Sequence, residues 1–221
     1  MISICLPTRE RPEVFKNMCM SALSTAFDPN DIEFVTYHDN DDISVYNYIG
    51  NHKEVVGDRI LLSQMHNECQ KMATGPIYMY AMDDLIFYTK GWDKRVKEIF
   101  DKSVDKILLV HFNDGYFGSK LAIVGFLHKN WIDTVGYFLP PYFGACYVDN
   151  WVTDIAVKIN RKVYLESIMA KHVEVLNDKT HTEYLKKKGD AKIIYNSKEW
   201  ERERDAQLLQ NFIDQYLPKY S

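Results

Sequence analysis

The stretch Tyr78–Val96 reads YMYAMDDLIFYTKGWDKRV. With Ile77 ahead of it, Ile77–Met82 is an apolar run of strand length, and Asp83 and Asp84 close it. Leu85, Ile86 and Phe87 then return at once to apolar character. Two adjacent carboxylates repel, so placing them at a strand end costs stability unless a cation or hydrogen-bond donors compensate. A hard divalent ion such as Mg²⁺ or Mn²⁺, shared with a diphosphate, would offset the repulsion. A solvated turn, or an N-cap for the next element, would also accommodate the pair, and spacing alone does not choose between them.

The flanking segments supply a context. Met1–Leu6 is an apolar strand stopped by Pro7, and Pro12 suits the first turn of a helix over Glu13–Ala26, with Val14, Phe15, Met18, Cys19, Ala22 and Leu23 at helical spacing. Asp28-Pro29-Asn30-Asp31 is a turn, and Ile32–His38 is a second strand running into Asp39, Asn40, Asp41 and Asp42. A short strand within Lys53–Leu61 and a helix over Leu62–Ala73, closed by Gly75-Pro76, lead to Ile77–Met82. Strand, helix, strand is a βαβ opening, so Asp83 and Asp84 fall at the carboxyl edge of an α/β sheet. Ligands of open α/β sheets collect outside that edge.

Further along, Gly91–Ser103 reads as a helix, Lys106–Phe112 as a strand, and Leu121–Leu127 as another apolar run. An aromatic, proline-containing loop, YFLPPYFGACYVDN, precedes a helix over Trp151–Lys158 and a short strand at Val163–Leu165. Beyond Lys171 the chain turns polar, and Ser197–Tyr216 is a charged amphipathic helix. The expectation is a single α/β domain, residues 1–172, with a C-terminal extension, residues 173–221, packed on it.

Composition narrows the classes. The chain has 221 residues, 46% hydrophobic, enough for a substantial core. A net charge of −4 argues against attachment to nucleic acid by bulk charge. Cys5, Cys19, Cys69 and Cys146 are scattered without metal-finger spacing and read as reduced core thiols. Without a signal-peptide pattern or a membrane-length apolar run, the expected location is the cytoplasm, the host cytoplasm if the chain is viral. No GxGxxG, GxxxxGK[ST], GxSxG or HExxH is present, which weakens the dehydrogenase, P-loop, serine hydrolase and zinc protease readings together.

Several other side chains invite chemistry while admitting plain explanations. Asp39 to Asp42 is either a run of turn residues or, at Asp39, a hydrogen-bond acceptor for a nucleobase. Asp114, in Asn-Asp-Gly, carries the same ambiguity. Asp149 and Asp154 flank Trp151, and a carboxylate beside an aromatic wall can act as general base or, at Asp149, cap the helix. His172 can donate a neutral nitrogen to a divalent ion, although a lone histidine is more often a satisfied core or surface residue. That applies with more force to His66, His111 and His181. The basic spot of Lys186 to Lys188 with Lys192 reads as a solvated face.

In order, these segments resemble family 2 glycosyltransferases of the GT-A fold. The resemblance rests on ISICLPTRERPEVFKNMCMSAL, IEFVTYHDNDD, HNECQKMATGPIYMYAMDD, DDLIFYTKGWD and DTVGYFLPPYFGACYVDNWVTDIA, followed by His172, and spans Ile2–His172. It is nearest to small phage and bacterial members. It implies a mixed, Rossmann-like sheet flanked by helices, and a nucleotide-diphosphate sugar, of the UDP type, as donor. Pro7, Thr8, Arg9, Arg11, Asp39, Asn67, Asp83 and Asp114 would line the donor pocket. Asp84 with His172 would hold Mn²⁺ or Mg²⁺, and Asp149, with Asp154 as rival, would be the base of an inverting transfer. Leu85 stands where the family's DxD motif has its second aspartate.

The phage-like character adds DNA bearing hydroxymethylated pyrimidines as an acceptor, with Arg59, Lys120, Lys129 and Lys186 to Lys188 on its phosphates. Polysaccharide or lipopolysaccharide acceptors stand beside it. A nucleotidyltransferase or a non-catalytic nucleotide-sugar-binding domain would be the rival reading. The former would need a glycine-rich loop that LPTRERP does not provide.

Overall fold

The computed structural model of the chain describes residues 1–173 and 190–216. Ile2–Pro7 (β1), Ile32–Asp39 (β2), Asn51–Gly57 (β3) and Ile77–Tyr80 (β4) are joined in parallel, β3 to β2, β2 to β1 and β1 to β4. Four more strands extend the sheet: Leu85–Phe87 (β5), Leu109–Asn113 (β6), Gly125–His128 (β7) and Lys162–His172 (β8). The order across the sheet is β3-β2-β1-β4-β7-β6-β8-β5. Because β7 is antiparallel to both β4 and β6, those two strands point the same way. The C-terminal ends of β1, β2, β4 and β6 therefore share one edge.

Alternation along the strands sorts the core onto two faces. Ile2, Ile4 and Leu6 of β1 pack with Phe15, Met18, Cys19 and Ala22 of the helix Pro12–Thr25 (α1), and with Trp92, Val96 and Phe100 of Trp92–Lys102 (α3). Cys5 points to the other face, which is covered by Leu62–Met72 (α2), Lys129–Val135 (α4), Val148–Lys158 (α5) and Glu199–Asp214 (α6). Trp92, Val96 and Phe100 recur at helical spacing and are at most 1% exposed, each worth about 1.5–3 kcal/mol of burial. All four cysteines are buried and free. No helix of the described residues is long and apolar enough to cross a membrane.

The layout is the mixed α/β sheet expected from sequence, with displaced boundaries. The final strand, expected to end at Leu165, continues to His172. Its first half pairs with β6, a register shift intervenes after Phe112, and its end pairs with β5. Leu85-Ile86-Phe87, the apolar residues after the paired aspartates, are thus an edge strand whose partner lies far along the chain. Helix α5 begins at Val148, not Trp151, which puts Asp149 in its first turn. Helix α4 has no counterpart in the sequence reading; it starts where His128 Nδ1 accepts from Asn130 N at 3.1 Å and stops at Gly136, whose φ of 88° suits glycine.

Candidate active site

The site forms where β1, β2 and β4 end together. The loop after β1 is Thr8, Arg9, Glu10 and Arg11, and α1 comes next. Thr8 N donates to Tyr37 O at 3.1 Å, extending the ladder between β1 and β2 by one residue. Thr8 Oγ1 donates to Asp83 Oδ2 at 2.8 Å and Arg11 Nη1 to Asp83 Oδ1 at 3.2 Å. Asp83 is 6% exposed, and burial pushes its carboxyl up to about 6 against the opposing pull of Arg11 and Thr8. Asp83, expected to line the donor pocket, fastens the loop after β1 to the turn after β4.

Asp84 does something different. Asp83 and Asp84 are the central residues of a turn in which Leu85 N donates to Met82 O at 3.4 Å, and Asp84 faces the end of β8. Its Oδ1 lies 2.8 Å from His172 Nδ1. Two backbone features fix that contact: Leu85 is the register partner of His172, and Val173 N donates to Asp84 O at 2.8 Å. Both side chains are about one-fifth exposed, so an ion and its further ligands can reach them. A carboxylate oxygen and an imidazole nitrogen are groups of the kinds that ligate divalent cations. Among the described residues no group of three or more His, Cys, Asp or Glu gathers.

At the end of β2, Arg9 Nη1 donates to Asp39 Oδ2 at 2.7 Å, and Arg9 also grips Asp41. Arg59 Nε lies 3.8 Å from the same Asp39 oxygen. Asp39 is 4% exposed, and its other oxygen, Oδ1, is buried with no hydrogen-bond partner. A buried acceptor left unpaired costs about 1–3 kcal/mol, which an incoming N–H donor would recover. Asp42 accepts from Glu10 N at 3.0 Å and from Tyr46 Oη at 2.7 Å, locking this corner. Tyr46 escaped the sequence reading because nothing local marks it.

Asp149 lies in the first turn of α5, half-buried, where burial holds its carboxyl above the ordinary aspartate range. It accepts from Asn150 N at 2.9 Å, and no cation of the described residues pairs with it. Tyr147, just ahead, has a φ of 71°, a conformation costing about 1–3 kcal/mol in a non-glycine residue. The Tyr147 ring rests on Tyr195 with centroids 5.2 Å apart, which holds that turn from outside.

Three other expected site residues have protein partners. Asp154 accepts from Arg202 Nε at 2.9 Å on the side of α5 that meets α6, which leaves it engaged away from Asp149. Arg202 is 5% exposed and stacks on Tyr195 and Trp151 at 3.8 and 5.2 Å. Asn67 commits its whole amide to the proline loop: Oδ1 accepts from Phe138 N and Leu139 N, and Nδ2 donates to Leu139 O. Asp114 Oδ1 accepts three backbone N–H groups, from Tyr116, Phe117 and Gly118. His66, buried in α2, has Nε2 3.1 Å from Ala81 O and steadies the chain just before Asp83.

The cations expected on DNA phosphates are not brought together. Lys129 pairs with Asp133 and its backbone meets Pro76, ahead of β4 and so at the opposite edge. Arg59 is at Asp39, Lys120 lies beyond the Asp114 turn, and Lys186 to Lys188 and His181 lie outside the described residues.

This arrangement, a mixed sheet with an acidic and basic corner at β1 and β2 and an aspartate pair after β4, is the GT-A fold. Among solved structures it is similar to S. aureus TarS 1-349 in complex with UDP-GlcNAc, with a TM-score of 0.61 and 12% identity, covering 97% of this chain and 72% of that one. It is also similar to the mannosyltransferase PcManGT from Pyrobaculum calidifontis in complex with GDP-Man and Mn²⁺, with a TM-score of 0.62 and 11% identity, covering 96% and 69%. Against S. aureus TarS as a whole, the chain spans 44% of the length. No protein-family model and no curated protein matches the sequence. At such identities the likeness establishes the fold.

Proposed function

We propose that the chain is a metal-dependent, inverting glycosyltransferase that takes a sugar from a nucleotide-diphosphate donor, of the UDP type, to an acceptor hydroxyl. The observation that carries this reading is the contact of Asp84 with His172 beside the pocket of Arg9 and Asp39. The orphaned Asp39 Oδ1 suits the imide N–H of uracil. Structural neighbours bound to UDP-GlcNAc, or to GDP-Man with Mn²⁺, support the same assignment.

The donor set fits a divalent ion. A carboxylate oxygen with an imidazole nitrogen suits Mn²⁺ better than Mg²⁺, which prefers oxygen alone. Asp84 and His172 would hold it; when bound, the ion neutralises charge on the diphosphate. Asp149 takes the proton of the acceptor hydroxyl, helped by a carboxyl whose pKa lies above the ordinary range. The acceptor oxygen forms a bond to the anomeric carbon from the face opposite the diphosphate. The bond from that carbon to the diphosphate oxygen breaks, and the electron pair leaves with the nucleoside diphosphate. Inversion results from the single displacement.

A thermal-shift panel of nucleotides with and without Mn²⁺ tests the reading. At a hundredfold excess over Kd, a ligand adds about 2.7 kcal/mol, and a chain of this size gains roughly 5–10 °C. UDP with Mn²⁺ is expected to give such a shift, and UDP with a chelator much less. A panel in which no nucleoside diphosphate moves the transition contradicts it.

A further inference from the structure

Residues 114–122 form a loop between β6 and β7 for which the transfer chemistry has no use. It presents two large rings to solvent, with Tyr116 64% and Phe117 49% exposed. Exposed aromatics on a slack loop would mean little, but this loop is held. Asp114 Oδ1 accepts the N–H groups of Tyr116, Phe117 and Gly118 at 2.9, 2.9 and 3.1 Å. Asn113 Oδ1 accepts from Gly115 N at 3.0 Å, Lys120 N donates to Phe117 O at 3.0 Å, and Lys162 Nζ to Ser119 O at 2.7 Å. Gly115 and Gly118 take the left-handed φ values of 79° and 53° that this turn needs.

Its position matters more. At the start, a Cβ on Gly115 would lie 2.8 Å from Lys171 Cε, so the loop rests on the residue beside His172. At the end, Ala122 N donates to Thr153 Oγ1 at 3.2 Å and Ala122 O accepts from Tyr80 Oη at 2.8 Å. Thr153 is one turn along α5 from Asp149, and Tyr80 feels the Asp149 charge. The loop therefore lies on the edge where β4 and β6 end, the edge that carries Asp84. On the proposed reading an acceptor hydroxyl enters at that edge.

We propose that the Tyr116-Phe117 loop is the acceptor platform of the transferase and that the acceptor is a neutral glycan, a pyranose ring of which stacks on Phe117. This rests on the glycosyltransferase reading of the same site. The C–H face of a pyranose is weakly positive and apolar, and it complements the negative face of an aromatic ring. A polyanion is disfavoured here. The chain carries a net charge of −4, and Asp39, Asp84 and Asp114 stand at or just past the ends of β2, β4 and β6, with Arg9, Arg11 and Lys171 beside them. The expected phosphate-binding cations Arg59 and Lys129 are engaged with carboxylates. Nucleic-acid binding draws most of its affinity from neutralised phosphates, and of the lysines at this loop Lys162 already donates to Ser119 O.

The test uses the full chain with Mn²⁺, radiolabelled UDP-sugars, a panel of neutral oligosaccharides (gluco-, chito- and manno-tetraoses), and a duplex bearing 5-hydroxymethylcytosine. Donor hydrolysis without acceptor reads the nucleotide site alone. Phe117→Ala is expected to leave hydrolysis within about twofold while raising the KM for the saccharide roughly tenfold, the equivalent of one lost ring stack. Phe117→Trp should restore transfer. Unchanged transfer in Phe117→Ala overturns the platform. Transfer to the duplex alone, or hydrolysis without transfer to any saccharide, overturns the glycan assignment. A wild-type chain that neither hydrolyses nor transfers any donor overturns the transferase reading itself.

Discussion

Asp83 and Asp84 are neighbours with opposite duties, and the difference is one of direction. Asp83 turns inward to Thr8 and Arg11, and Asp84 turns to His172. Removing each charge should separate stability from chemistry. Asp83→Asn weakens two charge-assisted bonds and is expected to cost about 1–3 kcal/mol in urea unfolding, with Mn²⁺-dependent UDP binding retained. Asp84→Asn breaks a partly exposed pair worth under about 1 kcal/mol and should abolish the Mn²⁺ dependence. The reverse pattern would exchange the two roles. The sequence shows that one of the pair is special without showing which, because His172 is 88 residues from Asp84 and no local spacing encodes the contact. Only the family resemblance links them. Asn67 shows the other limit: its type fits a polar pocket, and backbone N–H groups claim its acceptor oxygen, whereas at Asp114 they claim Oδ1 alone and Oδ2 stays buried without a partner.

At the level of elements, α5 carries Asp149 on its first turn and is gripped lower down by α6. Arg202 joins the two helices through Asp154 Oδ2 and the faces of Trp151 and Tyr195, and Tyr195 in turn carries Tyr147. The C-terminal helix thus braces the helix that presents the base. Arg202→Ala leaves Asp154 without this partner and empties a stacked site, so a loss of about 3 kcal/mol is expected by denaturant titration. Arg202→Lys should recover only part, since an ammonium cannot reproduce the planar stack. A loss below about 1 kcal/mol would show that α6 merely lies on α5. Strand and helix cores were legible in the sequence wherever apolar periodicity was strong, as in β1, β2 and α3. Strand β5 and the second half of β8 were not, because each owes its strand character to the other across a long sequence separation.

Across the whole molecule, buried histidines set the response to acid. His52, His111 and His128 have pKa values lowered from 6.5 to about 4, chiefly because burial disfavours the imidazolium. Between pH 6.5 and 4 the unfolded chain binds these protons and the folded chain does not, so stability rises with pH over that window and falls as pH drops through it. Each histidine contributes a slope of up to about 1.4 kcal/mol per pH unit. Asp83, whose carboxyl burial pushes up to about 6, acts with the opposite sign between pH 6 and 4 and offsets about one histidine. Urea midpoints measured from pH 7 to 4 should still decline, and a flat profile would contradict the burial of the imidazoles. The α/β class was readable from the βαβ opening, whereas the strand order was not. The antiparallel insertion of β7 between β4 and β6, which brings Asp114 to the same edge as Asp84, depends on long-range pairing that no window of sequence contains.

The most direct measurement of the central claim is the pH dependence of kcat/KM for sugar transfer from a UDP-sugar to a saccharide acceptor with Mn²⁺, in wild type and Asp149→Asn. The account predicts an acid limb above the ordinary aspartate range in the wild type, set by burial of Asp149. It predicts a loss of roughly a hundredfold or more in the variant, with Mn²⁺-dependent UDP binding intact. An Asp149→Asn chain that keeps the wild-type rate and profile would contradict it.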